Sequence, residues 1–274
     1  MPAFHRELAN LLEAGRRCAT ATLVDSKGST PAKQGHRLIV LPGGAIRFTM
    51  GGGPLEAMVI ADCLEQLASG THALREYRLV PEGELAVGMV CGGTARVFIE
   101  VHEPEPQLMV FGAGHVGLEI LRMAPALGLA CTVVDDRAEM LTADRLPESV
   151  RSVCCPSAFS GDLPETRAGG FVVIVTRCHE TDREVLARLA GRDLAYLGMI
   201  GSRRKVRVVM DELRERGIPA ASLEKVRAPI GLELGALTPA EIALSILAEI
   251  VAVRHKVRRT LVWPAAKQHL ISAG

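Results

Sequence analysis

The 274-residue chain has no C-x-x-C pair among its seven cysteines, which stand at 18, 63, 91, 131, 154, 155 and 178. That spacing argues against a zinc ribbon or a thioredoxin-type site. Most of these thiols fall in apolar runs, the usual setting of buried free cysteine, and a reducing cytoplasm is the compartment they fit. The chain also lacks a charge excess. Lys and Arg number 32 against 31 Asp and Glu, so the formal net charge is +1. There is no general electrostatic case for nucleic acid or an anionic membrane. Met1-Pro-Ala-Phe-His-Arg-Glu-Leu8 has no cationic start leading into an apolar run, so no signal peptide is expected. No segment reaches the roughly 18 uncharged apolar residues of a membrane span. The longest apolar candidate, Ile242 to Val253, is interrupted by Ser245 and Glu249. H-E-x-x-H, G-x-S-x-G and P-loop motifs are absent, and no triad or paired-carboxylate arrangement can be picked out. No internal repeat or low-complexity segment is visible. What remains is 48% hydrophobic and 23% charged, which suits a soluble globular protein of one or two domains.

The strongest positive signal begins after residue 100. An apolar strand, Leu108 to Phe111, runs into Gly112-Ala-Gly114-His115-Val-Gly117 and an amphipathic helix. A second apolar strand, Ala130 to Val134, ends in Asp135-Asp136. This is the layout of a dinucleotide-binding βαβ unit. Gly112 permits the tight turn, Gly114 lets a pyrophosphate approach the backbone, and Gly117 lets helix pack on strand. Asp135 is placed to accept from a ribose hydroxyl. His115 either contacts a ligand or lies on an exposed loop. Further strands over Phe171–Val175 and Ala195–Leu197 alternate with helices over Val116–Ala126, Arg183–Ala190, Arg203–Arg216 and Pro239–Arg254. A Rossmann-like doubly wound parallel sheet is predicted. Thr238-Pro-Ala-Glu241 is a capping box that fixes the start of the last helix.

Pro104-Glu-Pro106 cannot continue a helix or pair inside a sheet, and the domain boundary is placed there. The expected domains are 1–103 and 104–274. The first is a mixed α/β domain: a helix over Phe4–Ala14, strands over Ala19–Val24, His36–Leu41, Ala45–Met50, Thr71–Leu79 and Ala95–Val101, and a helix over Pro54–Leu67.

Four further stretches are candidates for ligand contact. Gly51-Gly52-Gly53 precedes a helix N-terminus and forms either an anion nest or a flexible turn with a helix cap, with Glu56 in the first helical turn. Cys91-Gly-Gly93 sets a thiol on an open loop, where it either serves as a metal ligand or sulfur carrier or has no special role. Gly201-Ser202-Arg203-Arg204-Lys205 starts a helix, with Ser202 as N-cap. Its basic residues oppose the helix dipole, so they either meet an anionic ligand or form a solvated face. Thr176 to Asp182 lies at the carboxyl end of a strand, where open α/β sheets place their sites. There His179 is a candidate for polar contact, and Asp182 reads most simply as a helix cap.

Together these motifs resemble the XdhC/CoxI family, the maturation factors of molybdenum hydroxylases such as xanthine dehydrogenase and aldehyde oxidoreductase. The matching pieces are Gly28-Ser-Thr-Pro31, Gly51-Gly-Gly53-x-Leu55-Glu56, Cys91-Gly-Gly93, Phe111-Gly-Ala-Gly-His-Val-Gly117, Val134-Asp-Asp-Arg137, Thr176 to Asp182, Gly198-Met-Ile-Gly-Ser-Arg203 and Ile230-Gly-Leu-Glu-Leu-Gly235 with the Thr238-Pro-Ala-Glu-Ile242 helix. The resemblance implies an accessory protein without turnover of its own. Such a factor holds the molybdenum cofactor, as molybdopterin or its dinucleotide form, while a cysteine desulfurase installs a terminal sulfur. It then delivers the cofactor to an apo molybdenum hydroxylase, and such factors are typically homodimers. Cys91 becomes the metal-side or sulfur-side thiol. A nucleotide in the Rossmann site is a further implication. Relatives often carry Cys or another small or polar residue where Pro54 stands, so any side-chain role there is lost. The alternatives are an NAD(P)-dependent oxidoreductase and a dinucleotide-sensing module without chemistry.

Overall fold

A computed structural model describes residues 2–28, 33–79 and 93–256. It divides into two compact units, Met1–Glu105 and Pro106–Gly274.

The first unit is an antiparallel sheet with helices. Its elements are α1 (Pro2–Glu13), β1 (Cys18–Lys27), β2 (Arg37–Val40), β3 (Ile46–Phe48), α2 (Gly53–Ser69), β4 (Ala73–Arg78) and β5 (Thr94–His102), with strands in the order β3-β2-β1-β5-β4. Alternation along the strands decides which helix each residue meets. Leu38 and Val40 join Ala19, Ala21, Val97 and Ile99 under Leu55, Val59, Cys63 and Leu67 of α2. Ile39 points the other way, into a cluster with Phe4 and Leu11 of α1. Each fully buried aliphatic side chain contributes about 1.5–3 kcal/mol, so the α2 stripe holds that helix to the sheet. Burial pushes the Cys18 thiol up to about 11 and the Cys63 thiol up to about 12. Both are inert core groups.

The second unit is a parallel sheet. It runs β6 (Gln107–Phe111), α3 (His115–Met123), β7 (Ala130–Asp135), β8 (Arg151–Cys154), α4 (Pro156–Phe159), β9 (Gly170–Ile174), α5 (His179–Leu189), β10 (Leu194–Met199), α6 (Arg203–Glu215), α7 (Ala220–Leu223) and α8 (Pro239–Arg254). The strand order is β10-β9-β6-β7-β8, and every pairing is parallel. That is the order of the first five strands of a Rossmann fold, with its topological switch point between β6 and β9. Leu108, Val110 and Val133 face α3 and α8, while Met109, Phe111 and Ile174 face α5 and α6. Helices therefore cover both faces, as the apolar strands predict. Glu249 is a carboxylate buried in α8. It accepts from the Tyr196 hydroxyl and the Gly231 N–H, both at 2.8 Å, which ties α8 to β10 and to the Gly231 loop.

Two expectations are corrected. The sheet has a fifth strand, β8, which the apolar pattern does not reveal. The helix expected over Arg183–Ala190 begins four residues earlier, at His179, with Cys178 as its N-cap. Asp182 thus lies inside the first turn and not at the cap.

Candidate functional site

The glycine loop of the second unit assigns each of its glycines a different task. Gly112 has φ 109°, and a Cβ there would lie 2.4 Å from the Val175 carbonyl oxygen. A Cβ on Gly117 would lie 1.9 Å from the Gly112 carbonyl oxygen. Both positions therefore exclude any side chain. Gly114 differs: its φ is −72°, and nothing lies within 4 Å of where a Cβ would stand. Gly114 is also the N-cap of α3, and no side chain caps that end. The first N–H groups of α3 and the positive end of its dipole are thus open to an anion. His115 is exposed at the first helical position.

Asp135 closes the side of this loop. It is 1% exposed, and its carboxylate accepts from the Ala113 N–H at 2.7 Å, from the Arg137 N–H at 3.0 Å and from the Arg137 guanidinium. Burial pushes its pKa up, but the Arg137 and Ala113 hydrogen bonds outweigh that and hold the carboxyl below its ordinary range. Asp135 therefore shapes the glycine loop through these hydrogen bonds. The neighbouring Asp136 pairs with Arg177 at 2.8 Å. Arg177 follows β9 and Asp136 follows β7, on either side of β6 in the sheet. This ion pair joins the chain segments that flank the glycine loop. Arg137 and Arg177 lie in the Val134–Arg137 and Thr176–Asp182 motifs, but sequence reading assigned neither side chain a role.

The triple glycine of the first unit is a built loop. Gly51, Gly52 and Gly53 have φ of 105°, 75° and 73°, a region that favours glycine. The loop folds around the Glu56 carboxylate. One oxygen of Glu56 accepts from the Thr49 hydroxyl at 2.5 Å, the Met50 N–H at 2.7 Å and the Gly52 N–H at 3.3 Å. The Gly51 N–H donates to the Thr49 hydroxyl oxygen. Burial raises the Glu56 pKa, and these hydrogen bonds more than reverse it, so the net shift is downward. The Met50 and Gly52 N–H groups thus hold the protein's own carboxylate.

At the ends of β9 and β10, Asp182 is fully buried. It accepts from the Thr176 N–H at 3.0 Å, the Thr176 hydroxyl at 2.6 Å and the Lys205 ammonium at 2.6 Å. Burial raises its pKa even so. Lys205 is therefore turned inward, away from the basic face expected for the α6 start. Ser202 caps α6, its hydroxyl accepting from the Lys205 N–H at 3.2 Å. The Arg203 side chain is 85% exposed and lies 3.5 Å from the Glu233 carboxylate. His179 is half-exposed beside Glu180. Cys91 lies outside the described residues. Among the described residues no group of three or more His, Cys, Asp or Glu side chains could hold a metal.

A parallel sheet in Rossmann order, with a glycine turn whose helix start no side chain caps, defines a Rossmann-type protein. A family model described as the XdhC Rossmann domain matches residues 108–250, and one described as the XdhC and CoxI family matches residues 11–78. The chain belongs to the XdhC/CoxI family. It is 38% identical over 250 residues to the uncharacterized protein YqeB of Escherichia coli K12, covering 91% of this chain and 46% of that protein. It is 28% identical over 171 residues to a probable xanthine dehydrogenase subunit of Bacillus subtilis 168, covering 60% and 48%. The molybdenum cofactor insertion chaperone PaoD of Escherichia coli K12 is 25% identical over 274 residues, covering 89% and 85%. The chain thus spans about half the length of the first two relatives. A crystal structure described as a xanthine dehydrogenase from Bacillus halodurans covers 92% of this chain and 96% of that one, at 19% identity and a TM-score of 0.49.

Proposed function

We propose that this chain is a maturation chaperone for a molybdenum hydroxylase. It binds the molybdenum cofactor, holds it for sulfuration by a cysteine desulfurase, and delivers it to the apo enzyme. The observation that carries this reading is the likeness to PaoD along most of both chains. The open cradle at Gly114 supplies the physical side. Uncapped N–H groups and a clear approach suit the phosphate or dinucleotide tail of the cofactor. The described residues fit that anionic end, and the family resemblance makes Cys91 the proposed metal-side or sulfur-side thiol. His115, His179 and Arg203 are exposed first residues of α3, α5 and α6, after the carboxyl ends of β6, β9 and β10, and are proposed to contact the ligand. A homodimer is part of the same reading. The commitments of Asp135 count against the ribose contact that an NAD(P)-dependent oxidoreductase would use.

The test is purification from cells that make the cofactor, followed by assay of molybdenum and pterin. The wild-type protein is expected to retain both. Gly114→Asp puts a carboxylate into the cradle without a steric clash, and retention should fall while the fold survives. Cys91→Ser should lower bound molybdenum. Absence of pterin under every condition, together with tight NADH binding, would sink the proposal.

A further inference from the structure

The first unit carries a cavity that none of the family motifs includes. Its volume is about 340 Å³, and it lies among Phe4, Gly35, His36, Arg37, Phe48 and Thr49, within the size range of small-molecule sites. Phe48 is its most unusual member. It pairs with Leu38, which faces α2, so regular alternation would turn the Phe48 ring toward α2 as well. Instead Phe48 has φ 64°, a left-handed conformation that is costly for an aromatic residue. Its ring lies against Phe4 at a centroid distance of 5.3 Å, and the residue is 42% exposed. The chain thus accepts backbone strain and leaves an aromatic face open to the cavity.

The ionisable side chains that line it are nitrogen bases. The Arg37 guanidinium lies 5.6 Å from the centroid of the Phe4 ring, and its Nε is buried without a hydrogen-bond partner. One terminal nitrogen of Arg37 is 3.2 Å from His5 Nε2. His36 adds a second ionisable nitrogen base, and no acidic side chain is among the lining residues. Gly35 has φ 89° with nothing within 4 Å of a Cβ position, so this wall is open. Thr49 joins the cavity to the triple-glycine loop, because its hydroxyl donates to Glu56, the carboxylate around which Gly51 and Gly52 are folded.

We infer that this cavity is a binding site for a flat, nitrogen-rich heteroaromatic ring with an anionic arm, the ring stacking on Phe48 and the arm meeting Arg37. The choice of a pterin over a nucleobase rests on the proposed function; the stacking and charge arguments stand without it. Stacking on an aromatic side chain suits any such ring, and the guanidinium supplies the charge-assisted donors for a carboxylate or phosphate.

The probes are pterin-6-carboxylate, unsubstituted pterin and cytidine monophosphate, titrated with the full chain. Fluorescence anisotropy reads pterin binding and calorimetry reads the nucleotide. Wild type is expected to bind pterin-6-carboxylate most tightly. Phe48→Gly removes the ring at a φ that glycine accepts, so the fold should hold while affinity falls at least about tenfold. Arg37→Gln should weaken pterin-6-carboxylate and leave unsubstituted pterin nearly unchanged. Unaltered affinity in Phe48→Gly, or no binding by wild type, overturns the site. Tighter binding of cytidine monophosphate that Phe48→Gly abolishes and Gly114→Asp leaves intact overturns the pterin assignment. Molybdenum and pterin retained from cofactor-producing cells without pterin-6-carboxylate binding would remove this pocket and leave the chaperone reading standing. Binding without retention would do the reverse.

Discussion

Two glycines of one short motif can carry opposite requirements, and Gly114 and Gly117 show how to separate them. Gly117→Ala drives a methyl group to 1.9 Å from the Gly112 carbonyl oxygen, and backbone on both sides must shift. A loss on the order of 3 kcal/mol is expected, read as a lowered urea midpoint. Gly114→Ala meets open space at an ordinary φ, so its urea midpoint should stay close to wild type while phosphate-ligand binding weakens. Equal destabilisation by the two variants would contradict this division. Glu56 makes a different residue-scale case. Its folded pKa lies below the ordinary 4.5, so its stabilising effect is present above that value and is lost as pH falls through the lowered folded value. Amide exchange at Met50 and Gly52 should therefore accelerate in that acidic window, once corrected for intrinsic rates. In Glu56→Ala the same amides should exchange fast already at neutral pH. Protection that persists in Glu56→Ala would mean the loop holds without its carboxylate.

At the scale of elements, the legible parts of the fold are those with a buried face. β6, β7 and β9 are covered on both sides and read as continuous apolar runs. α8 announces itself through Thr238 and Glu241, which form the full capping box. β8 was illegible for a physical reason: it is an edge strand of Arg151, Ser152, Val153 and Cys154, three of them exposed, and has no apolar pattern to read. One link between α6 and α5 was hidden as well, because it needs Lys205 to reach a carboxylate 23 residues away. This pairing yields the element-scale prediction. Lys205→Met leaves Asp182 buried without its cation, and about 3 kcal/mol should be lost at neutral pH. The Asp182 pKa is raised above 3.8 even with Lys205 present. A raised carboxyl favours the folded state below the unfolded value, and that advantage disappears as pH rises through the folded value. The deficit of Lys205→Met should accordingly shrink as pH falls and the carboxyl becomes protonated. Urea melts at several pH values measure it, and a pH-independent deficit would assign the loss to the packing of the lysine stem instead.

For the molecule as a whole, the positions of the glycines were readable from sequence, whereas the commitments of the charged side chains around them were not. Gly112, Gly114 and Gly117 hold their roles through local backbone geometry, which a short motif encodes. The donors that engage Asp135 and Glu56, Ala113 and Arg137 for one and Thr49, Met50 and Gly52 for the other, are defined only once the loops have closed. The cores divide just as sharply. Among the described residues, the clusters around α3, α8, α5 and α6 draw on residues between Leu108 and Val253, and those under α1 and α2 on residues between Phe4 and Val101. A unit with its own core has the means to fold alone. Residues 106–274 expressed separately are therefore expected to unfold in one cooperative thermal transition, with the same midpoint by circular dichroism and calorimetry. A ligand bound at the Gly114 cradle should raise that midpoint in proportion to the logarithm of its concentration once well above its Kd. The Gly114→Asp version should melt at the same temperature without ligand and show no such rise. A broad melt with exposed apolar surface would show that the parallel sheet needs the first unit to fold, and the two cores could no longer be treated as independent.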